Sequence, residues 1–308
     1  MSTLTRRPNH DDIPALRLIW KTAFGDGDLD GFFNHYYARD HCIVAVTNDT
    51  PVSAGYLLPA GSYLDCDGPG VPCAMIYGVA TLPGFRGQGF GAAVVRGLIA
   101  EGHDSGYAAI TLCPAEDSLF NYYSARTDLR DWFYIHERRH SYDPASNINA
   151  GLIPVAAGEY DSLRSNFLAG VPHIAPDIRA LTYQALLCRQ YGGGFYSIDT
   201  KNGAACAVVE RQSPDVVWIK ELLSPAECEN DALAAIMSSY PAKEYIVRTP
   251  ARSSPHSGQG SGNIDPSIRR FGMISVSSTL HSQPPALHTP HSTLHAPPAP
   301  PWFGLAFD

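Results

Sequence analysis

Apolar residues fall at helical spacing near the start of the chain: Ile13, Leu16, Ile19, Trp20 and Phe24 recur behind Asp11-Asp12-Ile13-Pro14, and Gly25 ends the pattern. A first amphipathic helix is predicted there. A second, shorter helix is predicted over 28–38, where Leu29, Phe32, Phe33, Tyr36 and Tyr37 repeat. Spacing favours the core for these aromatics, with a substrate-pocket lining as the other reading. The runs Cys42 to Val46 and Val52 to Leu58 are rich in β-formers and flank Thr47-Asn48-Asp49-Thr50-Pro51, a hairpin signal. A strand beginning near Val71 carries Ala74 to Ala80, and helix-compatible residues follow from Ala92 to Ala100. Tyr107 to Cys113 then reads as a strand, Pro114 to Tyr123 as a helix and Trp132 to Ile135 as a strand, before polar Asp143-Pro144-Ala145-Ser146-Asn147 marks a boundary.

The second half repeats this grammar. A helix is predicted over 178–191, strands at 194–198, 204–209 and 216–219, a helix over 232–240 and a further strand at 245–248. The expected division is therefore 1–145 and 146–308. Element order alone carries the repeat, so the second part is either a degenerate copy of the first or an unrelated α/β lobe. Its Leu223 to Asp231 loop holds Glu227, Glu229 and Asp231, which suit an anion poorly. Two low-complexity tracts, 253–262 and 282–301, are expected to form long mobile loops. The second contains His288, His291 and His295, but flanking prolines give no regular scaffold for ligand geometry, and no metal is expected. Trp302 to Phe307 is apolar again, which argues for a docked terminus ending in Asp308.

The chain has 308 residues, with 30 Asp and Glu against 22 Lys and Arg, a formal net charge of −8. That balance offers no electrostatic footprint for nucleic acid and suits a cationic small molecule. Cysteines at 42, 66, 73, 113, 188, 206 and 228 are odd in number and lack Cys-x-x-Cys, as expected of reduced thiols in a cytoplasmic protein. There is no signal-peptide core after Met1 and no apolar run able to span a bilayer, so no membrane partner is expected. A homo-oligomer is left open.

The stretch most suggestive of chemistry is Val79-Ala80-Thr81-Leu82-Pro83-Gly84-Phe85-Arg86-Gly87-Gln88-Gly89-Phe90-Gly91, a strand that breaks into a glycine-rich turn and opens a helix. Glycines let successive N–H groups approach an anion, and the helix start adds its dipole. The spacing fits neither a dinucleotide fingerprint nor a Walker A loop. Arg86-x-x-Gly89-x-Gly91 directly after a strand resembles the acetyl-CoA-binding motif of the GNAT superfamily of N-acetyltransferases. The likeness continues through Leu112-Cys113-Pro114 into a helix bearing Tyr123.

The resemblance implies the GNAT acyl-CoA N-acyltransferase fold: a mixed, mostly antiparallel sheet with splayed parallel strands, flanked by helices, followed by a second, smaller α/β domain. It implies acetyl-CoA as co-substrate and the primary amine of a small acceptor as partner. Arg86, Gly87, Gln88, Gly89, Phe90 and Gly91 would hold the pyrophosphate, and the backbone of Val79 and Thr81 would pair with the pantetheine arm. The Val79 N–H is the candidate oxyanion donor, Tyr123 the general acid, and Tyr122 the alternative. Arg126-Thr127-Asp128 replaces the usual aromatic-Gly-aromatic turn, and Glu116 stands where an asparagine often meets pantetheine. The layout of an active unit, an inactive-looking partner lobe and a docking chain end resembles the Eis-like branch, which makes the carboxyl groups of Asp308 candidates for the base. A non-catalytic acyl-CoA-binding or regulatory module is the competing reading, and a scaffold that binds a protein through its His/Pro-rich tail is a third.

Overall fold

The computed structural model describes residues 4–65, 69–141, 151–251, 266–277 and 300–306. In chain order these form β1 (Leu4–Arg6), α1 (Ile13–Phe24), α2 (Leu29–His35), β2 (Cys42–Thr47), β3 (Thr50–Leu64), β4 (Val71–Thr81), α3 (Phe90–Asp104), β5 (Ala109–Leu112), α4 (Asp117–Ser124) and β6 (Arg130–Ser141). There follow β7 (Gly151–Pro154), α5 (Ala157–Phe167), β8 (His173–Ala175), α6 (Ile178–Gln190), β9 (Gly194–Thr200), β10 (Gly203–Ser213), β11 (Val216–Leu223), α7 (Glu229–Ser239), β12 (Glu244–Pro250) and β13 (Ile268–Val276). The chain divides into two compact units, Met1–Ala60 with Val71–Asp131 and Gly272–Pro284, and Gly61–Gly70 with Trp132–Phe271 and Pro285–Asp308. The expected boundary near Asp143 to Asn147 lies in 142–150, outside the described residues.

In the first unit the strand order is β1-β2-β3-β4-β5-β13. All neighbours with a recorded register run antiparallel except β4 and β5, which pair in parallel through Cys73–Ile76 and Ala109–Leu112 across the α3 crossover. Asn48 and Asp49 both take left-handed backbone (φ 48° and 59°), so the β2–β3 turn closes on two residues, a tighter connection than the five-residue signal implies. Leu57, Ala74, Ile76, Val94, Leu98 and Ile110 build the core between sheet and α3. Trp20 on α1 stacks on Phe32 of α2 (centroids 4.3 Å apart) and meets Tyr56 of β3, so the helically spaced aromatics Trp20 and Phe32 are core residues.

The second unit has the order β6-β12-β11-β10-β9-β7, with β11 and β12 parallel across α7 and the other pairs antiparallel. Ser62–Leu64 at the end of β3 pair with β8. Its core gathers Ile198, Val209, Val217, Ile219, Ile236 and Val247. The same grammar thus appears twice: three antiparallel strands, a helix, then a parallel strand. One difference stands out: the strand after α4, β6, pairs with β12, whereas the strand beside β5 is Met273–Val276 of β13.

Apolar residues 302–306 return to the second unit through a buried polar clamp. Glu221, fully buried, accepts from Tyr160 Oη at 2.8 Å, Arg164 Nε at 3.0 Å and Trp302 Nε1 at 2.5 Å. Arg164 Nη1 donates to the Ile174 carbonyl, while the Ile174 N–H donates to the carbonyl of Trp302. Gly304 (φ +62°) lies against the Glu221 carboxylate and the Trp302 ring, where a side chain would collide. Trp302, Phe303, Leu305 and Ala306 are buried. Asp308 lies outside the described residues.

Candidate active site

The site begins where β4 outruns its partner. The β4–β5 register ends at Ile76–Leu112, yet β4 continues to Thr81. Gly78 (φ +59°) kinks this extension. The Leu82 N–H donates to the Val52 carbonyl and the Ala80 carbonyl accepts from Ser53 Oγ, so both residues face β3. Strand alternation then turns the backbone groups of Val79 and Thr81 toward the side where β5 has stopped. The Thr81 carbonyl there accepts from Arg86 Nε at 3.1 Å.

A 3₁₀ turn at Pro83–Phe85 leads to Arg86, Gly87, Gln88 and Gly89. Gly87 (φ +76°) and Gly89 (φ +85°) need the left-handed region, and a Cβ on either would meet no heavy atom within 4 Å. Space there is open, so packing is not what calls for glycine; backbone shape is. Gly89 caps α3 without a side-chain hydrogen bond, and no acidic residue stands in the first turn. The first amides of a fifteen-residue helix with no acidic residue in its first turn can serve as donors to an anion such as a pyrophosphate. Helix α3 starts at Phe90, two residues before the apolar run that foretold it, because left-handed Gly89 supplies its N-cap. Phe90 packs edge-to-face with Phe85, and Gln88 Nε2 donates to the Gly84 carbonyl at 3.4 Å. The turn is thereby held by its own side chains.

The two tyrosines of α4 separate. Tyr123 is 7% exposed and joins the core cluster with Ile110, Leu112, Phe120 and Leu129, where burial pushes its phenol up to about 12. Tyr122 instead borders the cradle: a methyl placed on Gly91 would sit 3.6 Å from Thr81 Oγ1 and 3.8 Å from the Tyr122 hydroxyl. The Arg126 guanidinium lies over the Tyr122 ring at 4.5 Å, and Arg96 Nη1 donates to the Arg126 carbonyl at 3.0 Å. Arg126 and Thr127 therefore serve the turn that lacks its aromatic-Gly-aromatic sequence, Thr127 by donating its hydroxyl to the Tyr123 carbonyl at 2.8 Å. Glu116 is exposed at the α4 N-cap.

Residues 5–125 match the Acetyltransferase (GNAT) domain family. Residues 126–308 lie outside that match. Among solved structures, a GCN5-related N-acetyltransferase from Kribbella flavida superposes with TM-score 0.62 at 15% identity, over 89% of this chain and 72% of that one. A GCN5-related N-acetyltransferase from Anabaena variabilis gives 0.59 at 14% identity, over 89% and 73%. Eis1 from Mycobacterium abscessus gives 0.55 at 12%, again over 89% and 73%. At such identities the likeness is one of fold, and the GNAT fold read from the β4–α3 motif is the fold of this chain. Comparison with curated proteins finds no match.

No group of three His, Cys, Asp or Glu side chains converges among the described residues, and His288, His291 and His295 fall outside them. No helix among the described residues is long and apolar enough to cross a membrane. Sequence reasoning missed Ser53 and Glu221. Ser53 sits within the apolar run of β3 and Glu221 beside Lys220 in β11, and neither has a motif to announce it.

Proposed function

We propose that this chain is an N-acetyltransferase that moves the acetyl group of acetyl-CoA to the primary amine of a small cationic acceptor. The observation that carries the reading is the β4–α3 junction, where open left-handed glycines and a helix start without a side-chain cap adjoin a strand that runs on past the end of its register with β5. In this reading Arg86 to Gly91 bind the pyrophosphate, and the backbone of Val79 and Thr81 aligns the pantetheine arm. Acetyl-CoA supplies the activated acyl group. The amine nitrogen bonds to the acetyl carbon as the C–S bond breaks, the Val79 N–H stabilises charge on the carbonyl oxygen, and Tyr123 donates its proton to the departing thiolate. A carboxylate of Asp308 takes the amine proton, in the manner suggested by an Eis-like layout with a degenerate second domain. The excess of acidic residues favours a cationic acceptor.

Placement of the Tyr122 hydroxyl beside Gly91 and Thr81 favours a second assignment, with Tyr122 as the acid. The test is thiol release from acetyl-CoA with a panel of polyamines and aminoglycosides, run on wild type, Tyr123→Phe and Tyr122→Phe. Loss of about a hundredfold or more in kcat, with coenzyme affinity retained, identifies the acid. Coenzyme binding with no turnover on any amine would instead support the acyl-CoA-binding module.

A further inference from the structure

Ser53 sits on β3, fully buried, with its Oγ 2.8 Å from the Ala80 carbonyl oxygen and 2.8 Å from Thr81 Oγ1. A carbonyl only accepts, so the single Ser53 proton is committed to Ala80. The contact with Thr81 then requires Thr81 to be the donor. The proton order is fixed as Thr81 to Ser53 to Ala80, which leaves Thr81 Oγ1 with acceptor capacity only. A methyl placed on Gly91, in the first turn of α3, would lie 3.6 Å from that oxygen.

We infer that Ser53 is a positioning residue that makes Thr81 a hydrogen-bond acceptor beside the anion cradle, so that the site selects a ligand in which an amide N–H follows a pyrophosphate. The inference rests on the acyl-CoA reading above and refines it. The α3 amides offer donors to an anion, whereas a few ångströms away Thr81 offers only an acceptor, which repels phosphate oxygen and welcomes N–H. Pantetheine carries secondary amides beyond its pyrophosphate, and a bare nucleotide does not. Without Ser53, the Thr81 hydroxyl rotates freely and donates or accepts alike.

The experiment is calorimetry on the full chain with two ligands, acetyl-CoA and its nucleotide end alone, 3′-phosphoadenosine 5′-diphosphate. Ser53→Ala should weaken acetyl-CoA about three- to tenfold, the range of one hydrogen bond, and leave the nucleotide unchanged. Thr81→Val should give the same split, and Ser53→Ala in the Thr81→Val background should cost nothing more. Thr81→Val is half-buried and carries the test if Ser53→Ala fails to fold. Equal losses for both ligands, or none for acetyl-CoA, would overturn the positioning role while leaving the coenzyme reading intact. Failure of wild type to bind acetyl-CoA would remove both.

Discussion

Replacing Glu221 by glutamine tests what holds residues 302–306. The carboxylate is fully buried, Arg164 is 1% exposed, and the ion pair is 3.0 Å long. Glutamine keeps the shape but removes the charge and turns two donors toward Arg164, Tyr160 or Trp302, which are themselves donors here. Arg164 already has one guanidinium nitrogen, Nη2, without a protein partner, so it has no reserve with which to absorb the loss. Breaking a buried pair from one side costs about 3–5 kcal/mol. At roughly 2–4 °C per kcal/mol for a domain of this size, the midpoint should fall by about 6–20 °C. Thermal melts followed by circular dichroism measure the midpoint, and urea denaturation measures the free energy. Glu221→Leu combined with Arg164→Met removes both charges and should regain at least half of the loss. A change below about 1 kcal/mol in Glu221→Gln would show that water reaches the pair and that the clamp argument is wrong.

Gly91→Ala meets only ordinary contacts at 3.6 and 3.8 Å and gains helix propensity, so stability should hold or rise by up to about 1 kcal/mol while acetyl-CoA affinity falls. A loss of stability in thermal melts would contradict this. The Tyr123 phenol, raised to about 12 by burial, stays protonated where a free phenol ionises near pH 10. Its contribution to stability is therefore complete below about pH 10 and is lost as pH rises toward 12; Tyr123→Phe should flatten that part of the alkaline unfolding curve. If the curve does not change, the phenol is solvated.

Much of this architecture is legible in the sequence, because period and punctuation agree. Gly25 ends α1 where the apolar spacing ends, and Asn48-Asp49 closes the hairpin between two β-branched runs. The Arg86 to Gly91 turn is recognisable because glycine spacing encodes a backbone shape. Position in a strand order encodes nothing local: only Trp132 to Ile135 of β6 carries an apolar signal, β13 with Arg269 and Arg270 does not read as a strand at all, and neither can be assigned its neighbours from pattern. The acid is similarly hidden. Tyr122 and Tyr123 are adjacent and chemically identical, and only the packing of α4 sends one to the core and the other to the cradle. Ser53 and Glu221 acquire meaning through partners 28 and 57 to 81 positions away.

The pairing of β5 with β13 has a consequence for synthesis. His103 on α3 meets Ser275 on β13 across a separation of 172 residues. The first unit contains the whole β4–α3 junction, yet its sheet cannot be completed until the ribosome has released residues near Val276. At about 5–20 residues per second, the exposed edge of β5 waits for roughly 10–30 s. An unpaired edge is an invitation to pair wrongly, and loop closure over such a distance is slow. Premature termination anywhere before β13 should therefore yield an aggregating fragment in which the coenzyme cradle is fully encoded but its sheet is left open.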